Sequence, residues 1–118
     1  MKYLLGIDFG GGASKVTLLS EEGQIIAENT VEYPTYHPTD NACEQAPNDW
    51  LNALCENTTA VLKKSGIDAS HIAAIAIDSA THPSLVCDEN FAPLTTRAFW
   101  PSVIKGDDAG LTDKDGNN

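Results

Sequence analysis

The tightest constraint on this chain lies at its start. Tyr3-Leu4-Leu5-Gly6-Ile7 runs without a polar break into Asp8 and, after Phe9, into Gly10-Gly11-Gly12. A short apolar run bounded by glycines suits a strand in the middle of a sheet, covered on both faces. An acid at the end of such a strand needs a partner or a purpose, because an unpaired carboxylate is costly to bury. The glycines that follow make a tight β-turn. With no Cβ in the way, their backbone N–H groups are open to close approach by phosphate oxygens.

Beyond the turn, Lys15–Leu19 is rich in strand formers and predicts a second strand. Ser20-Glu21-Glu22-Gly23 turns the chain back, with Gly23 free to take a positive φ, and Gln24–Val31 is the third strand of an antiparallel meander. Tyr33–Pro47 holds prolines, aromatics, His37 and Glu44 in no clear period and reads as a loop wrapping over the sheet. A helix begins near Asn48, with Asn48 or Asp49 as its cap. Trp50, Leu51, Leu54, Cys55, Thr58, Val61 and Leu62 recur on one face. Lys63 and Lys64 fall in the last turn, and Gly66 supplies a left-handed stop. Ile72–Ile77 predicts a buried strand beside the first and parallel to it. Ser84–Cys87, the turn Asp88-Glu89-Asn90 and Pro93–Trp100 read as a hairpin returning to the sheet.

The expected fold is therefore α/β, a mixed sheet in β-β-β-α-β order plus a β-hairpin. Residues 1–104 are expected to form the domain, and the polar stretch 105–118 a flexible tail. A chain of 118 residues leaves no room for two independent cores. With 7 basic against 17 acidic residues, the net charge of -10 opposes binding to nucleic acid or to an anionic membrane. The apolar stretch before Asp8 is too short for a signal sequence or a membrane span, so a cytoplasmic protein is expected. Cys43, Cys55 and Cys87 have no metal-ligand spacing and read as free thiols of a reducing compartment.

Asp8 offers hard carboxylate oxygen suited to Mg²⁺, while Ser14 and Lys15 bring a hydroxyl and a positive charge to the same loop. The order of residues is not that of a Walker A loop. Nor is it a dinucleotide fingerprint, because the glycines lead into a strand and not a helix. A plain glycine-rich hairpin is the other reading of the same residues.

The phrase Gly6-Ile7-Asp8-Phe9-Gly10-Gly11-Gly12-Ala13-Ser14-Lys15 resembles the first phosphate motif of the FGGY carbohydrate kinases, members of the actin, hexokinase and heat-shock ATPase superfamily. The resemblance continues through Glu44-Gln45-Ala46-Pro47-Asn48-Asp49-Trp50, similar to the family's E-Q-x-P-x-x-W segment. It runs on through Ile75–His82 and the Asp88–Leu94 hairpin to Trp100. Within the family the chain resembles the xylulokinases. Their M-H-G sugar contact falls at Thr81-His82-Pro83, where only the histidine persists.

The resemblance implies a ribonuclease H-like fold and ATP-dependent phosphorylation of a sugar or polyol hydroxyl. Asp8 would position Mg²⁺ and the γ-phosphate, and Gly10, Gly11, Gly12, Ser14 and Lys15 would line the phosphates of ATP. Glu44, Gln45, Thr81, His82 and Trp100 would sit near the sugar. Two departures stand out: Gly11-Gly12-Ala13 replaces the family's hydroxyl residues, and Trp100-Pro101-Ser102-Val103 replaces W-[DN]-x-R. The second phosphate motif, the adenosine motif and the general base belong to a longer, two-domain protein. The chain is therefore expected to be inactive alone and to self-associate through its exposed half-lobe face. Two alternatives remain open: a non-catalytic module of kinase fold, and a two-metal nuclease using Asp8 and Asp78.

Overall fold

The computed structural model describes residues 1–80, 84–94 and 97–99. Tyr3–Phe9 (β1), Ala13–Ser20 (β2) and Ile25–Glu32 (β3) form the expected meander, each antiparallel to the one before. The turn from β2 to β3 closes through Gly23 N–H to Ser20 O (2.9 Å) and Ser20 N–H to Gln24 O (2.8 Å). Gly23 takes φ +87 there, a conformation that costs a residue bearing a Cβ. Helix α1 (Pro47–Ser65) leads, through a short 3₁₀ turn at Ala69–His71, to β5 (Ile72–Ser79), which pairs parallel with β1. The sheet runs β3-β2-β1-β5 and is mixed.

Two compact units emerge. The first comprises Met1–Tyr33 and Asn48–Ala80; the second comprises Pro34–Pro47 and the described residues after Ala80. The apolar core belongs to the first. Leu5 and Ile7 of β1, Val16 and Leu18 of β2 and Val61 of α1 are buried together, edged by Tyr3, Phe9, Ala27, Leu54, Ile67 and Ile72. Fully burying one such aliphatic side chain is worth roughly 1.5–3 kcal/mol, so α1 is held by the stripe it lays on β1 and β2.

Several expectations need correction. β1 is central, but it is buried on one face only: Leu5 and Ile7 point into the core, whereas Asp8 on the other face is exposed. The reason is that α1 covers one side of the sheet. β5 lies beside β1 as expected, yet all but its first residue are exposed, because among the described residues it is the last strand of the sheet on that side.

The helix starts at Pro47, whose fixed φ and missing N–H suit a first helical position. Asn48 and Asp49 are thus inside the first turn and do not precede it. The buried face of α1 is centred on Ala53, Asn57 and Val61, while Leu51 and Cys55 of the expected stripe are exposed. Gly66 does end the helix, at φ +72, with its N–H donating to Leu62 O (2.9 Å).

In the second unit, the segment expected to be a loop contains a strand. Glu44–Gln45 (β4) pairs antiparallel with Ala98–Phe99 (β6), and Tyr36 bridges to Glu44. The expected hairpin has its turn at Asp88–Ala92, closed by Asp88 N–H to Ala92 O (2.8 Å) and a bridge between Cys87 and Pro93. It does not join the four-stranded sheet; β6 belongs to the separate two-stranded one. The tail expected at 105–118 lies outside the described residues.

Candidate functional site

Strand register assembles the site on the face of the sheet opposite α1. Asp8 stands in line with Lys15 on β2 and with Asp78 on β5. Residues paired across neighbouring strands point to the same side, about 4.8 Å apart. The three side chains therefore make a row of cation, anion and anion. Gly6, Thr17 and Ala76 form the next row in the same register. Their small side chains leave a groove of about 310 Å³ in front of the charged row.

The carboxyl of Asp8 is held above the usual carboxylate range, first by a hydrogen bond with Asp78, then by partial desolvation and the Asp78 charge; Lys15 pulls the other way. Two carboxyls this close share a proton or need a cation between them. Lys15 serves them only in part, because its ammonium also pairs with Glu28 on β3. A divalent cation would relieve the repulsion that remains, and carboxylate oxygens are the donors Mg²⁺ prefers. The donor set thus fits a hard cation.

The turn beside Asp8 closes on itself: Gly10 N–H donates to Ala13 O (2.9 Å). A Cβ on Gly10 would lie 2.9 Å from that oxygen and 3.6 Å from a carboxylate oxygen of Asp8, so only glycine fits there. A Cβ on Gly11 or Gly12 would meet nothing within 4 Å. Positions 11 and 12 thus have room for a side chain, while the Gly10 N–H is spent inside the turn and the Gly12 carbonyl accepts from Tyr33 N–H (3.1 Å).

Ser14 needs correction. It is fully buried, and its hydroxyl donates to Asp8 O (2.8 Å). Strand alternation turns it away from Lys15 and toward α1, so it braces the loop and does not line the groove.

Two further braces were not legible as functional residues. Asn57, fully buried on α1, donates through Nδ2 to Ser14 O (2.9 Å) and accepts at Oδ1 from Asn29 (2.8 Å). Tyr33 donates its hydroxyl to Gly10 O (2.5 Å), with Ala13 O at 3.1 Å. Burial, and secondarily the charge of Asp8, raise the Tyr33 phenol above its ordinary range, so it stays a donor. The available signals were a polar residue four positions before Val61 and a tyrosine just past the third strand.

In the second unit, Glu44 and Gln45 are neighbours on β4 and so face opposite ways. Gln45 is buried, with Nε2 donating to Thr35 Oγ1 (2.9 Å). Glu44 is half-buried and pairs with Arg97 at 3.4 Å, whose guanidinium lies 3.8 Å from the centroid of the Tyr36 ring. Thr81, His82 and Trp100 lie outside the described residues. Among the described residues, the structure brings Asp8, Lys15 and the 10–12 turn together and adds Asp78. His37 and His71 are exposed, and the three cysteines are free, as expected.

The FGGY family of carbohydrate kinases, N-terminal domain, matches residues 3–103. The chain belongs to that family. This FGGY chain is 34% identical over 98 residues to a gluconokinase of Bacillus subtilis, a match covering 83% of the chain and 19% of that protein. It is 29% identical over 100 residues to a xylulose kinase of the same organism, covering 85% and 20%. A ligand-bound xylulose kinase from Lactobacillus acidophilus superposes with a TM-score of 0.74 at 28% identity, over 83% of this chain and 19% of the other. The FGGY chain thus spans about a fifth of the length of the curated relatives it matches. Its fold is the α/β ribonuclease H-like fold of the actin and hexokinase ATPases. Among the described residues no helix is long and apolar enough to cross a membrane.

Proposed function

We propose that this chain supplies the phosphate- and magnesium-facing part of a cytoplasmic, ATP-dependent kinase whose acceptor is a pentulose, a sugar acid or a polyol. One observation carries the reading. Asp8 presents an exposed carboxylate at the end of β1, in register with Lys15 and Asp78 and beside the glycine turn at 10–12. Bound Mg²⁺ would supply positive charge against which the phosphates of ATP are held. Asp8 would hold that ion, with Asp78 within reach of the same ion or its waters. Lys15 would add charge at the rim of the groove. Ser14, Asn57 and Tyr33 keep the turn in place, so that little reorganisation is needed when the anion arrives. Positioning of this kind is most of what a protein contributes to phosphoryl transfer.

Substrate choice rests on the relatives, which are named for gluconate, xylulose and glycerol. Glu44, Thr81, His82 and Trp100 are the residues we place toward the acceptor. Gln45, which the resemblance also puts near the sugar, is buried on β4 and donates to Thr35 Oγ1. The row of Asp8 and Asp78 is also what a two-metal nuclease would need. Family membership and the charge of -10 favour the kinase.

The test adds Mg·ATP with D-xylulose, gluconate or glycerol to the purified chain and follows ADP release. No acceptor-dependent release is expected, since the resemblance puts the general base in another part of the longer protein. Turnover would refute that division of labour. Divalent-metal-dependent cleavage of DNA or RNA by the same sample would refute the kinase reading itself.

A further inference from the structure

We propose that Glu28 is a positioning residue for the metal site: by taking the ammonium of Lys15, it keeps that cation off the Asp8 carboxyl and leaves the carboxyl to a divalent ion. The inference rests on the reading of Asp8 as the magnesium ligand. Lys15 stands directly across from Asp8 on β1, while Glu28 of β3 pairs with Thr17, one row further from the glycine turn. Strand alternation puts the side chains of Asp8, Lys15 and Glu28 on the face opposite α1. Asp8 is thus the direct cross-strand neighbour of Lys15 and Glu28 a diagonal one, and a long side chain reaches either. The structure shows the diagonal choice. Lys15 Nζ lies 2.5 Å from Glu28 Oε2, and of the influences on the Asp8 carboxyl the charge of Lys15 is the smallest. The ammonium is drawn toward the Thr17 row, away from the turn.

That choice decides what the acids can hold. An ammonium resting on Asp8 would be an internal competitor for a divalent cation, since both seek the same carboxylate oxygens. With Lys15 held by Glu28, Asp8 keeps Asp78 as its hydrogen-bond partner, and the two acids retain the excess negative charge that a divalent cation relieves.

Glu28 is presented from a fixed stretch of strand. Lys64 of α1 donates to Glu28 O (2.9 Å) and to Asn29 Oδ1 (2.8 Å), and Asn29 donates in turn to the buried Asn57 (2.8 Å). Glu32 is the other diagonal neighbour of Lys15, on the side of the turn, opposite Ala13; it is exposed. Exposed ion pairs are weak, so the effect is severalfold at most: apparent affinity falls by the fraction of molecules in which Lys15 blocks Asp8.

Magnesium affinity of the full chain, read by NMR at the Asp8 and Asp78 signals, tests the role as a double-mutant cycle. Glu28→Gln is expected to weaken Mg²⁺ binding about two- to fivefold more when Lys15 is present than in a Lys15→Met background, where the charge change is the same but no ammonium competes. Glu32→Gln makes the same charge change on the same strand and is expected to show no such dependence on Lys15. In the metal-free chain, nuclear Overhauser contacts of the Lys15 ε-methylene with Glu28 are expected to give way to contacts with Asp8 in Glu28→Gln. None of these side chains belongs to the apolar core, and circular dichroism checks the fold of each variant. Equal losses in both backgrounds, or a Lys15 side chain that does not move, would overturn the role of Glu28 and leave the metal-site reading standing. Failure of Mg²⁺ to bind at Asp8 in the unaltered chain would overturn both.

Discussion

Replacing Asn57 by alanine tests how the glycine turn is held. The side chain is fully buried, donates to Ser14 O at 2.9 Å and accepts from Asn29 at 2.8 Å. Alanine leaves the Ser14 carbonyl without that donor in a place water does not reach, a loss of about 1–3 kcal/mol. The Asn29 amide is half-exposed and can turn to solvent. A cavity of some tens of Å³ adds about 1 kcal/mol at 24 cal/mol per Å³, and the better helix propensity of alanine returns about 0.7 kcal/mol at most. The net expectation is a destabilisation of about 1–3 kcal/mol, read from urea unfolding at neutral pH. Because Ser14 also donates to Asp8 O, the amides of Gly11–Ser14 should exchange faster than those of the β2–β3 turn. A change below about 0.5 kcal/mol, the range of an ordinary surface substitution, would refute the reasoning, as would a loss of stability that leaves exchange in the glycine turn unaltered.

Other consequences are as direct. Gly10→Ala should cost about 1–3 kcal/mol, because its Cβ would lie 2.9 Å from Ala13 O, whereas Gly11→Ala and Gly12→Ala should stay within about 0.5 kcal/mol; denaturant unfolding separates them. Phe91 sits at φ 63 while 86% exposed. Phe91→Gly should therefore relieve about 1–2 kcal/mol of left-handed strain less about 0.5–1 kcal/mol of added chain entropy, giving a small net gain in thermal unfolding. The Asp8 carboxyl is raised in the folded state, so the native form binds its proton more tightly than the unfolded one. Its contribution to stability then falls as pH rises from the ordinary aspartate range to the raised value. Asp78→Asn should lower the Asp8 midpoint in a carboxyl ¹³C titration and flatten that dependence. Asp68 shifts the other way, lowered by the N–H of Ser70, so its stabilisation is present above its unfolded pKa and lost as pH falls through the folded one; an Asp68→Asn variant should lose that acid dependence.

Local chemistry made the meander readable. Gly10–Gly12, Gly23 and Gly66 mark turns whose geometry depends on few neighbours, and the apolar runs between them fix the strands. Burial was harder to read, because it depends on what covers each face. Ile72–Ile77 has the composition of a buried strand but lies at an edge, and only the sheet order reveals this. The apolar stripe of α1 was read one residue off its centre because Asn57 looks like a solvent residue. Its two hydrogen-bond partners, Ser14 and Asn29, lie on strands 43 and 28 residues away in the chain. The resemblance puts Ser14 among the residues lining the phosphates, whereas strand alternation sends its side chain to the buried face. Asp78 was visible as an acid on a parallel strand, but its place directly beside Asp8 is a matter of register.

The central claim is that Asp8 and the backbone of Gly11 and Gly12 form one site for a divalent cation and the phosphates it carries. An ¹⁵N-resolved NMR titration of the chain with Mg²⁺, then with Mg²⁺ and triphosphate, tests it most directly. The account expects Mg²⁺ to move the signals of Asp8 and Asp78, triphosphate to move Gly11 and Gly12 only when Mg²⁺ is present, and Asp8→Asn to abolish both responses. Triphosphate shifts that survive Asp8→Asn, or Mg²⁺ shifts confined to other acidic residues, would contradict it.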